Sequence, residues 1–256
     1  VLLFFFAVAT DKMRKQLAAI VCLGATALPA VADLPAKPIE KRIGDRIVRL
    51  PILPGFIPAC EENSQLAQRA QLMTPKTWVF LTCFVDGKAW RDFFSGKSAD
   101  HYPLIAVTVQ EPTQGGDFTP AEFEKLRAAA HKQLGSLVAN NEVAQQQLAE
   151  QDRKLAASGV PVTRGDHQQT LQGFFEIPGV AQTISYVAIR SASVSETGAT
   201  KYLNEVNAVS IALYSGKLFA LNVVDQSASN DQGRRAQEIA ASWLRAFRES
   251  NEGSGK

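Results

Sequence analysis

Two runs of alternating apolar residues near the C-terminus, 202–214 and 217–225, are separated by the dipeptide Ser215-Gly216 alone. A two-residue connection turns the chain straight back, so the runs must be neighbouring antiparallel strands. Val209, Ile211 and Leu213 share one side of the first, and Phe219, Leu221 and Val223 share one side of the second, because side chains alternate along a strand. This hairpin commits the chain to an antiparallel sheet with apolar surface to cover.

The rest of the sequence supplies more strands and two helices. Residues 45–50 (DRIVRL), 77–85 (TWVFLTCFV), 104–110 (LIAVTVQ), 169–177 and 181–192 read as strands, being rich in β-branched and aromatic residues between Pro and Gly signals. Residues 61–76 are polar with room for a short helix, Asp86-Gly87 reads as a turn, and 88–103 as an irregular loop or short helix. Thr119-Pro120-Ala121-Glu122 is a capping box with Pro at the first helical position. Behind it Phe123, Leu126, Ala130, Leu134, Leu137 and Val138 form one stripe. The stripe fades at Asn140-Asn141, so a long helix with an exposed or broken second half is expected before Gly159 and Pro161. A last helix, capped by Ser229, Asn230 or Asp231, carries Ala236, Ile239, Ala240, Trp243 and Phe247 on one side. The predicted class is α+β, an antiparallel β-sheet flanked by a long central helix and a C-terminal helix. One domain over 43–249 follows a flexible lead (33–42) and precedes a frayed tail (250–256).

The first 32 residues read as an address. Arg14 and Lys15 form a basic region after Met13, residues 17–28 are uncharged and mostly apolar, and Pro29 precedes Ala30-Val31-Ala32. These are the three parts of a secretory signal, with cleavage between Ala32 and Asp33. Residues 1–12 (VLLFFFAVATDK) read as an extension upstream of a start at Met13. The charges at Asp11, Lys12, Arg14 and Lys15 keep the two apolar runs from acting as one membrane span, at ~2.5–3.5 kcal/mol for each charge near a helix centre. Val21 before Cys22 does not fit a lipidation site. The expected mature protein is periplasmic or secreted, without a transmembrane anchor.

Export sets charge and cysteine usage. The 27 basic and 25 acidic residues of the chain fall to 24 each once Lys12, Arg14, Lys15 and Asp11 are removed. A neutral protein lacks the electrostatic footprint that nucleic acid requires. Of the 3 cysteines, Cys60 and Cys83 remain, and two cysteines in an oxidising compartment point to one disulfide. Two buried thiols are the alternative.

An opening strand leading into Pro54-Gly55-Phe56, the late hairpin Tyr214-Ser215-Gly216-Lys217 and a closing helix carrying Trp243 together resemble the PsbP-like fold family, which includes the bacterial periplasmic proteins of the DcrB type. The resemblance covers about residues 43–249. It implies an α+β fold and a non-enzymatic binding or assembly role, with no catalytic residue set to carry over. The exposed second half of the 119–157 helix departs from the family's compact pattern.

Catalytic motifs fail on inspection. Gly96-Lys97-Ser98 has Arg91 where a phosphate-binding loop needs Gly. No G-x-S-x-G elbow or H-E-x-x-H zinc motif occurs. Asp100-His101 and Asp166-His167 lie near loop signals, and adjacent residues on a strand point apart, so neither is a ready-made dyad. His131 falls on the polar flank of its helix. The reading is therefore no catalytic residues, no metal and no cofactor. The richest stretch is 86–103, where Trp90, Phe93, Phe94 and Tyr102 stand with Lys88, Arg91 and Lys97. Aromatic residues and Arg anchor interfaces, so Trp90, Arg91, Phe93, Phe94 and Tyr102 form a candidate interaction loop; a short helix packed on the sheet is the competing reading. The expected function is an exported interaction module for another envelope protein. The alternatives are a carrier of a small apolar or lipid-like ligand, and an exported hydrolase without a recognisable motif.

Overall fold

The computed structural model describes residues 37–95, 103–111, 117–139, 163–196, 199–225 and 231–252, together with 146, 149–150, 153–154 and 157. In chain order they form β1 (Ile39–Ile43), β2 (Arg46–Leu50), β3 (Phe56–Ile57), α1 (Ala59–Glu62), α2 (Ser64–Met73), β4 (Trp78–Asp86), α3 (Gly87–Phe94) and β5 (Pro103–Gln110). Then follow α4 (Pro120–Ala139), β6 (Thr163–Phe174), β7 (Thr183–Glu196), β8 (Ala199–Tyr214), β9 (Lys217–Asp225) and α5 (Gln232–Glu252). The predicted α+β class with an antiparallel sheet holds. Seven strands line up as β3-β4-β5-β9-β8-β7-β6, and β1 pairs with β2 as a separate hairpin. Every pairing is antiparallel.

The β8–β9 turn is as the sequence predicts. Ser215 and Gly216 both have positive φ, 49° and 77°, which matches the right-handed twist of the flanking strands. The register, however, pairs Ala212 with Phe219 and Val209 with Asn222. Val209, Ile211 and Leu213 therefore lie on the opposite side of the sheet from Phe219, Leu221 and Val223. Both sides are covered, so Ala208, Val209, Ala212 and Leu213 of β8 and Leu218, Phe219, Ala220 and Leu221 of β9 are all buried.

On the first side, α5 lies across β8 and β9. Ala236, Ala240, Trp243 and Phe247 are fully or almost fully buried and meet Phe84, Ile105, Val107, Phe219, Leu221 and Val223. Trp243 stacks on Phe247 with centroids 5.2 Å apart and planes 12° apart. The β1–β2 hairpin closes the end of this layer with Ile43, Val48 and Leu50. Asp225 is fully buried on this side and receives two hydrogen bonds of 2.6 Å from Arg235, fixing the start of α5 to the end of β9.

On the second side two separate covers sit. Helices α1 and α2 bring Ala59, Cys60, Leu66 and Ala70 onto Cys83, Val85, Leu104 and Val224. Helix α4 brings Phe123, with Leu126 and Ala130, onto Ile184, Leu213 and Leu218. Its start is the predicted capping box: Thr119 Oγ1 accepts from the Glu122 amide at 3.2 Å, and Glu122 Oε2 accepts from the Thr119 amide at 2.8 Å. The hydrogen bond from the Thr119 amide and, after it, the one from the Thr119 hydroxyl at 2.8 Å hold the Glu122 carboxyl below its ordinary range.

Four expectations need correction. The flexible lead to residue 42 fails at Ile39–Arg42, which pair with β2 through the Gly44-Asp45 turn; the charges in this strand mask its alternation of Ile39, Lys41 and Ile43. The frayed tail fails at residues 250–252, because Asn251 donates to the carbonyls of Arg49 and Phe247, both at 2.7 Å, and accepts from the Arg49 amide. Asp86-Gly87 is a junction from β4 directly into α3, where Asp86 Oδ1 caps the helix by accepting from the Ala89 amide at 2.9 Å. Asp166 and His167 lie within β6, not in a loop.

Candidate functional site

The sequence-predicted interaction stretch divides between described and undescribed residues. Trp90, Arg91, Phe93 and Phe94 are all on α3, which bears out a short helix in place of an irregular loop. Trp90 is half-buried against the cluster containing Cys60, Leu66 and Cys83, while Arg91 is exposed. The structure thus makes Trp90 part of a satellite core, as the competing reading had it. Lys88 donates to Asp92 at 2.8 Å one turn on, and that hydrogen bond raises the Lys88 pKa. Tyr102, His101, Asp100 and Gly96-Lys97-Ser98 lie outside the described residues, as do the cleavage residues Ala30, Ala32 and Asp33.

The α3 platform is fixed from beneath. Cys60 on α1 and Cys83 in β4 form a disulfide with Cα atoms 5.2 Å apart, both buried. The Pro54-Gly55-Phe56 corner abuts the start of α3, where the Gly87 amide donates to the Gly55 carbonyl at 2.7 Å. Gly55 has φ of 82°, a conformation that glycine takes at least cost. A Cβ on Gly87 would stand 3.2 Å from the same carbonyl.

A second constellation lies on the same side of the sheet, between the two helical covers. Sequence reasoning did not find it. One row across the sheet runs Ala106, Asn222, Val209 and Tyr186. The next runs Leu104, Val224, Asn207 and Ala188. Asn207 and Asn222 are diagonal neighbours on adjacent strands, 1% and 4% exposed. Neither Oδ1 nor Nδ2 of Asn207 has a hydrogen-bond partner, and neither does Oδ1 of Asn222. Glu205, 2% exposed, stands two residues along the same side of β8 from Asn207. Burial pushes the Tyr186 hydroxyl up to about 12. In sequence, Glu205 and Asn207 alternate with Val206 and Ala208, a pattern that ordinarily marks a wet face; only the second cover shows that this face is dry.

The remaining polar groups fasten elements together. Asp117, ahead of α4, takes hydrogen bonds from Lys217 and, at 3.5 Å, from Arg46, which also donates to the Ser215 carbonyl. His131 is exposed, as predicted, and its ring lies 4.0 Å from that of Phe174. Among the described residues no group of His, Cys, Asp and Glu has the arrangement to hold a metal ion, and no helix is long and apolar enough to cross a membrane.

No protein-family model matches the chain, and no curated protein matches it. Among solved structures it is similar to cyanobacterial PsbP (CyanoP) from Synechocystis sp. PCC 6803, at 12% sequence identity and a TM-score of 0.29, over 68% of this chain and 82% of that one. At that score the likeness is weak.

Proposed function

We propose that this protein is an exported, non-enzymatic binding module of the cell envelope that docks another envelope protein through the exposed side of α3. The observation that carries the proposal is the Cys60–Cys83 disulfide beneath that helix. Structural disulfides persist in oxidising compartments and are reduced in the cytosol, so the bridge supports the secretory reading of residues 13–32. It also holds α1 against β4, and Trp90 packs on the layer the two create. A helix that presents Lys88 and Arg91, with Trp90 packed onto a covalently fixed base, offers an Arg of the kind that anchors interfaces and the rigidity that lowers the entropy lost on docking.

The test is cell fractionation followed by intact mass measurement without reductant. The proposal expects the protein in the envelope fraction, beginning at Asp33, with a mass two hydrogens below that of the dithiol. An uncleaved N-terminus on the native protein, or free thiols at Cys60 and Cys83, overturns it.

A further inference from the structure

We draw no further inference here: the strongest candidate, the edge that β8 turns away from β7 over 199–204, where it runs past its last pairing with β9 at Val206 and Asp225, has no strand beside it among the described residues, and nothing in the structure shows what covers it.

Discussion

Trp243 donates its indole N–H to the carbonyl of Pro51 at 3.1 Å, across 192 positions of sequence. The bond joins the closing helix to the segment that leaves the β1–β2 hairpin, and both partners are buried. Pro51 ends its strand, and its carbonyl accepts this bond beside the apolar layer that includes Phe84 and Phe247.

Trp243→Phe removes that donor and part of the ring stacked on Phe247. The expected loss is about 2–3 kcal/mol, from an unpaired buried carbonyl and a residual cavity. Urea unfolding checks it: the midpoint falls while the slope stays that of the wild type.

The Cys60–Cys83 bridge closes a loop with a sequence separation of 23. By chain entropy this contributes about 3 kcal/mol. The double variant Cys60→Ser, Cys83→Ser and reduced wild type should lose the same amount in denaturant unfolding. Retention of full stability by the reduced protein contradicts this.

Gly216 has φ of 77°, and a Cβ there meets the Asp117 side chain at 2.5 Å. Gly216→Ala is therefore destabilising by about 1–2 kcal/mol. The clash and the backbone strain are separable. In an Asp117→Gly background, which removes the Cβ that the new methyl meets, the same substitution costs less, so the two losses are not additive. The hydrogen bond from Lys217, with the charges of Lys217 and Arg46, holds the Asp117 carboxyl below its ordinary range. A depressed carboxylate contributes stability above its unfolded pKa and loses it as pH falls through the folded value. Acid unfolding of Asp117→Ala should accordingly lack this component of the wild-type curve.

Tyr186 is expected to ionise late, because burial raises its pKa from 10.0 to about 12. The fold favours the neutral phenol. Its contribution is complete below pH 10.0 and is lost as pH rises through about 12. Ultraviolet titration of tyrosinate should show one late step that Tyr186→Phe removes.

Much of the fold is legible in the sequence, and the reasons are local. The Thr119–Glu122 capping box, the Ser215-Gly216 turn and the stripe of Ala236, Ala240, Trp243 and Phe247 each encode their element within a few residues. The hairpin's pairing is encoded there as well, but the side each strand shows to each cover is not. Placing Val209 and Phe219 on opposite sides requires the register and the knowledge that two layers of helix exist. Strand β1 and the anchoring of Asn251 are long-range effects of the same kind: Ile39–Ile43 gains its partner from β2, and Asn251 finds Arg49 202 positions away. The candidate sites divide likewise. Cys60 and Cys83 are identifiable by elimination, and Trp90 and Arg91 by residue type. Asn207 and Asn222 look like ordinary polar positions of a half-wet sheet until α4, α1 and α2 are seen to lie on that side.

The central claim, docking of an envelope protein at α3, is tested most directly by site-specific photo-crosslinking in intact cell envelopes. The reactive residue replaces Arg91 on α3 or, as a control, Arg245 on the exposed side of α5. The account predicts one adduct of defined mass from position 91, none from 245, and loss of that adduct on charge reversal at the exposed neighbour, Lys88→Glu. No adduct from position 91, or the same products from both positions, contradicts it.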